Sequence, residues 1–417
     1  MNIPILKLNA VQVLAFACLG LAAGIWLKRK FPVLDRLNIP ASIVGGLLFA
    51  LAALGMRDRV LNIEPDLVLR DILMIAFFTT IGMGASLRLL KQGGLQVGIF
   101  FAFSSVVAVL QNVLGIGVAK IFGLNPLVGI LTGSVALTGG PATALAFGQS
   151  FETYGLAGAP ALGVAAAMFG IVAGGLIGGP TGGSLISKFK LKSADGRKAG
   201  PASPKDPAKE VVYAGDPPET AAGPIADESE AEQDRLTATV IIIAVAMGIG
   251  SYITMRMQAA GFTLPAYIGA MLAASLLRNL DDYTGWFRIS QHSVDTVGEI
   301  ALNIFIVMAL MTLQLWTLVK LALPLLVILL LQALLIYVVA RWMVFLIMGR
   351  DYDAAVIAGG FCGFMLGTTA NSLACMGVLT EKYGPAPRAY LVVPLVGAFL
   401  IDFVNALVIT TMAGFVR

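Results

Sequence analysis

The chain has 417 residues, of which 58% are hydrophobic and 12% are charged, and its mean hydropathy is +0.87. Soluble domains carry about 25% charged residues, so this composition excludes an ordinary soluble protein and indicates that lipid surrounds most of the chain. The net charge of +4 is small and the basic residues lie in short loops, which excludes a nucleic-acid binder. One histidine and three separated cysteines exclude a His-cluster metal site and a disulfide framework.

Apolar segments of about 20 residues, the length that crosses a bilayer as a helix, recur along the whole sequence. We predict ten membrane-spanning helices, at about 11–27, 40–56, 71–90, 95–120, 160–180, 237–258, 263–279, 297–317, 320–347 and 389–415.

Two further apolar segments, 127–149 and 354–378, have interrupted centres. The first contains Gly139, Gly140 and Pro141, and the second contains Gly363 and Gly367 followed by two threonines. A Gly costs a helix about 1 kcal/mol and a Pro about 3 kcal/mol, and irregular backbone at membrane depth survives only inside protein or beside a wet cavity. Both segments are therefore predicted to be re-entrant or broken helices.

The chain divides into a membrane repeat at 1–180, a linker at 181–236 and a second membrane repeat at 237–417. The linker is rich in proline and acidic residues, which predicts a disordered segment. Basic residues at 28–30, 88–91 and 188–198 favour a cytoplasmic linker with both termini outside.

The two halves match at a shift of 225–229 residues. Ile39-Pro40-Ala41 corresponds to Leu264-Pro265-Ala266, and Glu152-Thr-Tyr-Gly corresponds to Glu381-Lys-Tyr-Gly. Each half has five spans, so the second half is expected to insert upside down. The fold class that follows is an all-α integral membrane protein of two inverted five-helix repeats, each with one broken segment, which is the design of secondary transporters.

The tips of the broken segments are the candidate substrate site. Glycine lets backbone approach a ligand, the N–H groups of a half-helix favour an anion, and hydroxyl and amide groups can hold a carboxylate or a cation. The candidate residues are Thr138, Gly139, Gly140, Thr143, Gly367, Thr368, Thr369, Asn371 and Ser372. Small residues also let helices pack closely, but that alternative does not explain a polar cluster present in both halves.

Asp402 is the sharpest single candidate, because a carboxylate within a span costs about 2.5–3.5 kcal/mol and needs a partner. Asn405 lies three residues further on, on the same helix face. A sodium ion or a proton could supply the missing charge, and a hydrogen-bonded structural aspartate is the alternative. Asn303 is a third possible sodium ligand, and Gln111 and Asn112 are secondary candidates.

Other classes of protein fit less well. The sequence has no Walker loop, so an ATP-driven pump is not expected, and no cofactor motif is present. Tyr352-Asp353 lacks the second motif of an intramembrane aspartyl protease, so an enzyme is not predicted either. A channel remains a distant alternative, which the duplication of the chain disfavours.

Several long motifs resemble the bacterial sodium/glutamate symporter family. They are IPASIVGGLL (39–48), RDILMIAFFTTIG (70–82), QNVLGIG (111–117), FGIVAGGLIGGP (169–180) and YLVVPLVGAFLIDFVNALVI (390–409). The resemblance implies a dimeric, elevator-type carrier of the inner membrane that takes up L-glutamate with sodium.

The tips differ from the family pattern. Gly139-Gly140 is followed by Pro141-Ala142 in place of His-Gly. The second tip reads Gly367-Thr368-Thr369-Ala370-Asn371-Ser372, where the family has Gly-Ala-Thr-Pro-Thr-Ala. The alternative is therefore a carrier of another amino acid or a dicarboxylate, whose transport is coupled to sodium or to protons.

Overall fold

The computed structural model describes residues 4–37, 39–57, 59–92, 94–193, 225–259, 265–287, 289–313 and 322–416. These residues are helical apart from loops and two short strands, β1 (Ile5–Leu8) and β2 (Asn62–Pro65). The strands pair in parallel, with Ile5 opposite Asn62. Four-residue strands carry too few alternating positions to be recognised in the sequence, and the prediction of an all-α protein did not include them.

The first half contains seven longer helical elements. They are α1 (Ala10–Lys30), α2 (Ala41–Met56), α3 (Val68–Gly84), α4 (Gly94–Ile121), α5 (Pro126–Ile130, continued by a π-helical turn at Leu131–Val135), α6 (Gly140–Thr153) and α7 (Ala159–Phe189). Short helices at Pro32–Arg36 and Leu87–Gln92 lie between them.

The described part of the second half contains eight helical elements. It consists of α8 (Ile225–Ala259), α9 (Ala266–Thr284), α10 (Gln291–Met311), α11 (Ala322–Val338, continued by a π-helical turn at Val339–Val344 and a helical turn at Phe345–Ile347), α12 (Tyr352–Leu366), α13 (Thr369–Tyr383), α14 (Pro387–Leu395) and, after a π-helical turn at Val396–Leu400, α15 (Ile401–Val416).

The predicted linker is shorter than 181–236. Helix α7 continues to Phe189 and helix α8 begins at Ile225, so the prediction of disorder is wrong at both ends of the segment. Helix α7 runs past the end of its apolar segment at 180, and helix α8 begins before its apolar segment at 237, because a helix can extend beyond a bilayer into water. Residues 194–224 lie outside the described residues.

The span predicted at 71–90 ends early, at Gly84. The backbone breaks at Ala85 and Ser86, and Asn279 of α9 satisfies the break: its amide donates to the Ala85 carbonyl at 2.9 Å and accepts from the Leu87 N–H at 2.9 Å. A side chain from the other half of the chain thus replaces the missing helical hydrogen bonds.

Two bundles can be distinguished among the described helices. Helices α1, α2 and α3 pack with α8, α9 and α10, and we call this group the frame bundle. Helices α4 to α7 pack with α11 to α15, and we call this group the site bundle. Contacts between the bundles are sparse and run mainly through α3, α6, α10 and the π-helical turn at Val396–Leu400. Each bundle therefore takes corresponding helices from both halves.

A ladder of glycines on α7 brings this helix against the second broken segment. Gly170, Gly174, Gly178 and Gly182 recur every four residues and face the backbone or buried side chains of α12 and α13. A β-carbon at Gly178 would lie 2.6 Å from Cys375 Sγ and 2.7 Å from the Gly359 carbonyl oxygen. Close backbone approach through small residues is the usual way that helices associate in lipid.

Adjacent glycines on α7 give a matched test of this ladder. We expect Gly178→Ala to lower the apparent melting temperature of the detergent-solubilised protein, since overpacking a tight contact costs about 1–3 kcal/mol. Gly179→Ala is the control: the nearest atom to its β-carbon would be Val378 Cγ1 at 4.0 Å, and alanine favours a helix over glycine by about 1 kcal/mol. Equal melting shifts in the two variants would contradict the ladder.

Candidate functional site

Both broken segments are interrupted at their centres, close to the predicted positions. In the first segment, Gly133 has non-helical angles (φ −93°, ψ −127°) and α6 begins at Gly140 with Pro141 in its first turn. In the second, α12 ends at Leu366 and Thr368 caps α13, its hydroxyl accepting from the Asn371 N–H at 3.3 Å. Proline at a helix start and threonine at an N-cap are local signals that fix where each second half-helix begins.

The two tips touch. A β-carbon at Gly140 would lie 3.4 Å from the Gly367 carbonyl oxygen and 3.5 Å from Thr368 Cγ2. Gly140 also has φ +68°, a backbone conformation that residues other than glycine rarely adopt. Thr143 packs on Gly139 within the first tip. Predicted substrate residues from the two halves therefore lie against each other, although they are more than 220 positions apart in sequence.

Only part of this site is accessible. Thr138, Gly140 and Thr143 are buried, as are Gly367, Asn371 and Ser372; Gly139, Thr368 and Thr369 are partly exposed, and Ala370 is exposed. The accessible edge is therefore the N-terminal end of α13 beside Gly139. Backbone N–H groups at a helix N-terminus have no intrahelical partner and attract negative charge.

Gln111 of α4 connects both tips. Its side-chain amide donates to the Met365 carbonyl at 2.9 Å, and its amide oxygen accepts from the Thr138 hydroxyl at 2.6 Å. Gln332 of α11 donates in turn to the Gln111 carbonyl at 2.7 Å. Gln111 and Gln332 are fully buried. The sequence placed Gln111 only among the secondary candidates, yet it bonds to both tips.

The second tip is fixed to α7. The Asn371 amide donates to the Ile171 carbonyl at 3.0 Å and to the Gly363 carbonyl at 3.4 Å. The Ser372 hydroxyl contacts Met376 Sδ at 3.8 Å. Thr369 Oγ1 would lie 3.1 Å from a β-carbon at Gly397, in the π-helical turn that precedes α15.

A second polar cluster lies one turn before the first tip. The Ser134 N–H donates to Asn112 Oδ1 at 2.8 Å, and the Asn405 amide donates to the Ser134 carbonyl at 3.0 Å. The same carbonyl accepts from the Gly139 N–H at 2.9 Å. Sequence reasoning missed Ser134, although it lies only four residues before Thr138.

The three predicted sodium ligands do not all lie together. Asp402 is in the first turn of α15, partly buried, and among the described residues it has no ion-pair partner. Asn405 lies one turn further along α15, as predicted. Asn303 is instead on α10 in the frame bundle, where its amide donates to the Glu299 carbonyl of its own helix at 3.0 Å. The described residues contain no group of three or more His, Cys, Asp or Glu that could hold a metal ion.

These features define a multi-pass membrane protein with two broken helices that meet in its core. Six described helices are long and apolar enough to span a membrane: Ala10–Lys30, Gly94–Ile121, Ala159–Phe189, Gln233–Ala259, Gln291–Met311 and Ala322–Ile347. Shorter apolar helices lie at Ala41–Met56, Pro126–Val135, Tyr352–Leu366 and Ile401–Val416.

The sequence model of the sodium/glutamate symporter family matches residues 6–385. The chain is 38% identical over 404 residues to the sodium/glutamate symporters of Escherichia coli (strain K12) and Shigella flexneri, covering 96% of each chain. It is 33% identical over 402 residues to the sodium/glutamate symporter of Haemophilus influenzae (strain ATCC 51907 / DSM 11121 / KW20 / Rd), with 95% of each chain covered. The chain therefore belongs to the sodium/glutamate symporter family, and the predicted resemblance is confirmed.

Proposed function

We propose that this protein is a secondary active carrier that takes up L-glutamate together with sodium ions across the bacterial inner membrane. The observation that carries the proposal is the contact between the two glycine-rich tips beside the accessible N-terminal end of α13. Backbone N–H groups and threonine hydroxyls at that edge suit the carboxylates of a small anionic amino acid. Three relatives, each aligned over at least 95% of this chain, are sodium/glutamate symporters, which points to the same substrate and ion.

Alternating access by an elevator-like movement fits the division into two bundles. Both tips, Gln111 and the Ser134 cluster belong to the site bundle, so the whole site can move as one body. The frame bundle meets it through few contacts, which keeps the sliding surface small. We propose that the frame bundle stays fixed and also forms the interface of a homodimer.

We also propose an arrangement of the chain in the membrane. The two repeats are proposed to be inverted, with the tips entering from opposite faces, both termini outside and the linker in the cytoplasm. Each bundle contains helices from both halves, which supports the proposal of an inverted duplication. We propose that the first repeat ends near Phe189, where helix α7 ends, and that the second begins near Ile225, where helix α8 begins.

Uptake by proteoliposomes tests the substrate and the ion. We expect labelled L-glutamate to accumulate under an inward sodium gradient at equal pH, and other amino acids or C4 dicarboxylates to compete less well. If a different acid were taken up more strongly than glutamate, that acid would be identified as the substrate. Efflux of hydrophobic dyes without uptake of any amino or carboxylic acid would contradict the whole proposal.

A further inference from the structure

Two buried oxygens beside the first tip have no hydrogen-bond partner among the described residues. They are Ser134 Oγ and Asn405 Oδ1, and the two residues are 0% and 1% exposed. A buried polar atom left unsatisfied costs about 1–3 kcal/mol. Such atoms in native proteins call for an explanation, and an ion that completes the group is one.

The two oxygens belong to neighbouring groups. The Asn405 side-chain nitrogen is 3.0 Å from the Ser134 carbonyl oxygen, so the Asn405 amide lies against Ser134. Asn112 contributes a third oxygen, Oδ1, which is 2.8 Å from the Ser134 nitrogen and has a second lone pair. A β-carbon at Gly133 would lie only 2.6 Å from that Asn112 oxygen, so the absence of a side chain lets it approach the unwound backbone.

We infer that Ser134 Oγ, Asn405 Oδ1 and Asn112 Oδ1 bind a sodium ion at the Gly133 kink. The ligands are hard, neutral oxygens beside unwound backbone, a setting that suits an alkali cation in carriers built from discontinuous helices. Asp402, one turn before Asn405, supplies negative charge on the same helix face. The inference rests on the proposed function and adds ligands from the first broken segment to those on α15.

The site also connects the ion to the substrate tip. The Ser134 carbonyl accepts from Asn405 and from the Gly139 N–H, the latter at 2.9 Å. An ion held by Ser134 and Asn405 therefore fixes the backbone turn that positions Gly139 and Gly140. Sodium binding then prepares the first tip for glutamate, and each ligand raises the affinity for the other.

Sodium binding can be measured from the rise in melting temperature that NaCl causes in the purified full chain. KCl at equal ionic strength is the reference. Ser134→Ala removes only an oxygen that has no hydrogen-bond partner among the described residues. Ser104→Ala is the matched control, because Ser104 is also 0% exposed with an unpartnered hydroxyl, and it lies on α4, seven residues before Gln111.

We expect Ser134→Ala to raise the sodium concentration for half-maximal stabilisation about tenfold, as ligand linkage predicts for a weakened site. Ser104→Ala should match the wild type. Glutamate added at saturating sodium should still stabilise the Ser134→Ala protein, which shows that its fold is intact. An unchanged sodium midpoint in Ser134→Ala, with sodium-driven glutamate uptake by the wild type, overturns the site while the proposed function stands. Absence of any sodium effect on wild-type stability and uptake overturns both.

Discussion

Replacing Gln111 by methionine is expected to lower sodium-driven glutamate uptake by about a hundredfold, because two buried hydrogen bonds at about 1–1.5 kcal/mol each are lost together. Methionine keeps the length of the side chain, so packing changes little. The lost bonds are those to the Met365 carbonyl in one tip and from the Thr138 hydroxyl in the other. Without them the two half-helices lose their common anchor. Uptake by proteoliposomes at matched protein content measures the effect.

Gln332→Met is the control for this experiment. Gln332 is also fully buried, but its amide donates to the Gln111 backbone and to neither tip. We expect this variant to retain most of its uptake. Equal losses in the two variants would mean that Gln111 contributes to general packing and not to the joining of the tips. Thr138→Val, which removes one of the two bonds, should give an intermediate loss.

Replacing Asp402 by asparagine is expected to raise the sodium concentration for half-maximal uptake by about tenfold or more, equivalent to about 1.4 kcal/mol. Asp402 has no ion-pair partner among the described residues, so a bound cation is the group that would balance its charge. Membrane insertion should not suffer, since a carboxylate within a span costs about 2.5–3.5 kcal/mol that asparagine avoids in large part.

Asp71→Asn serves as the control for the loss of one carboxylate. Asp71 pairs with Arg70 at 2.7 Å and its side chain is 49% exposed, so its loss should change sodium dependence little. Unchanged sodium affinity in Asp402→Asn would make Asp402 a structural residue. Uptake driven by a pH gradient in the absence of sodium would instead identify a proton as the coupling ion.

The sequence by itself determined the features that depend on local chemistry. Composition required lipid as the solvent, and apolar segments located the long helices. The glycines, proline and threonines at 139–141 and 367–369 located the breaks, because these residues act on the backbone within a turn or two. The sequence also predicted that the two tips would lie close together, and Gly140 does lie against Gly367 and Thr368.

Tertiary structure alone decided which of these residues bond to one another. Gln111 joins Thr138 to Met365, and Asn405 meets Ser134 from 271 positions away. It also separated Asn303 from the other predicted sodium ligands, because α10 packs in the frame bundle. No local sequence pattern predicts either result, because the sequence around a buried glutamine or asparagine does not depend on which helix packs against it. Helix packing sets those partners, through the close approaches that glycines such as Gly133 and Gly178 permit.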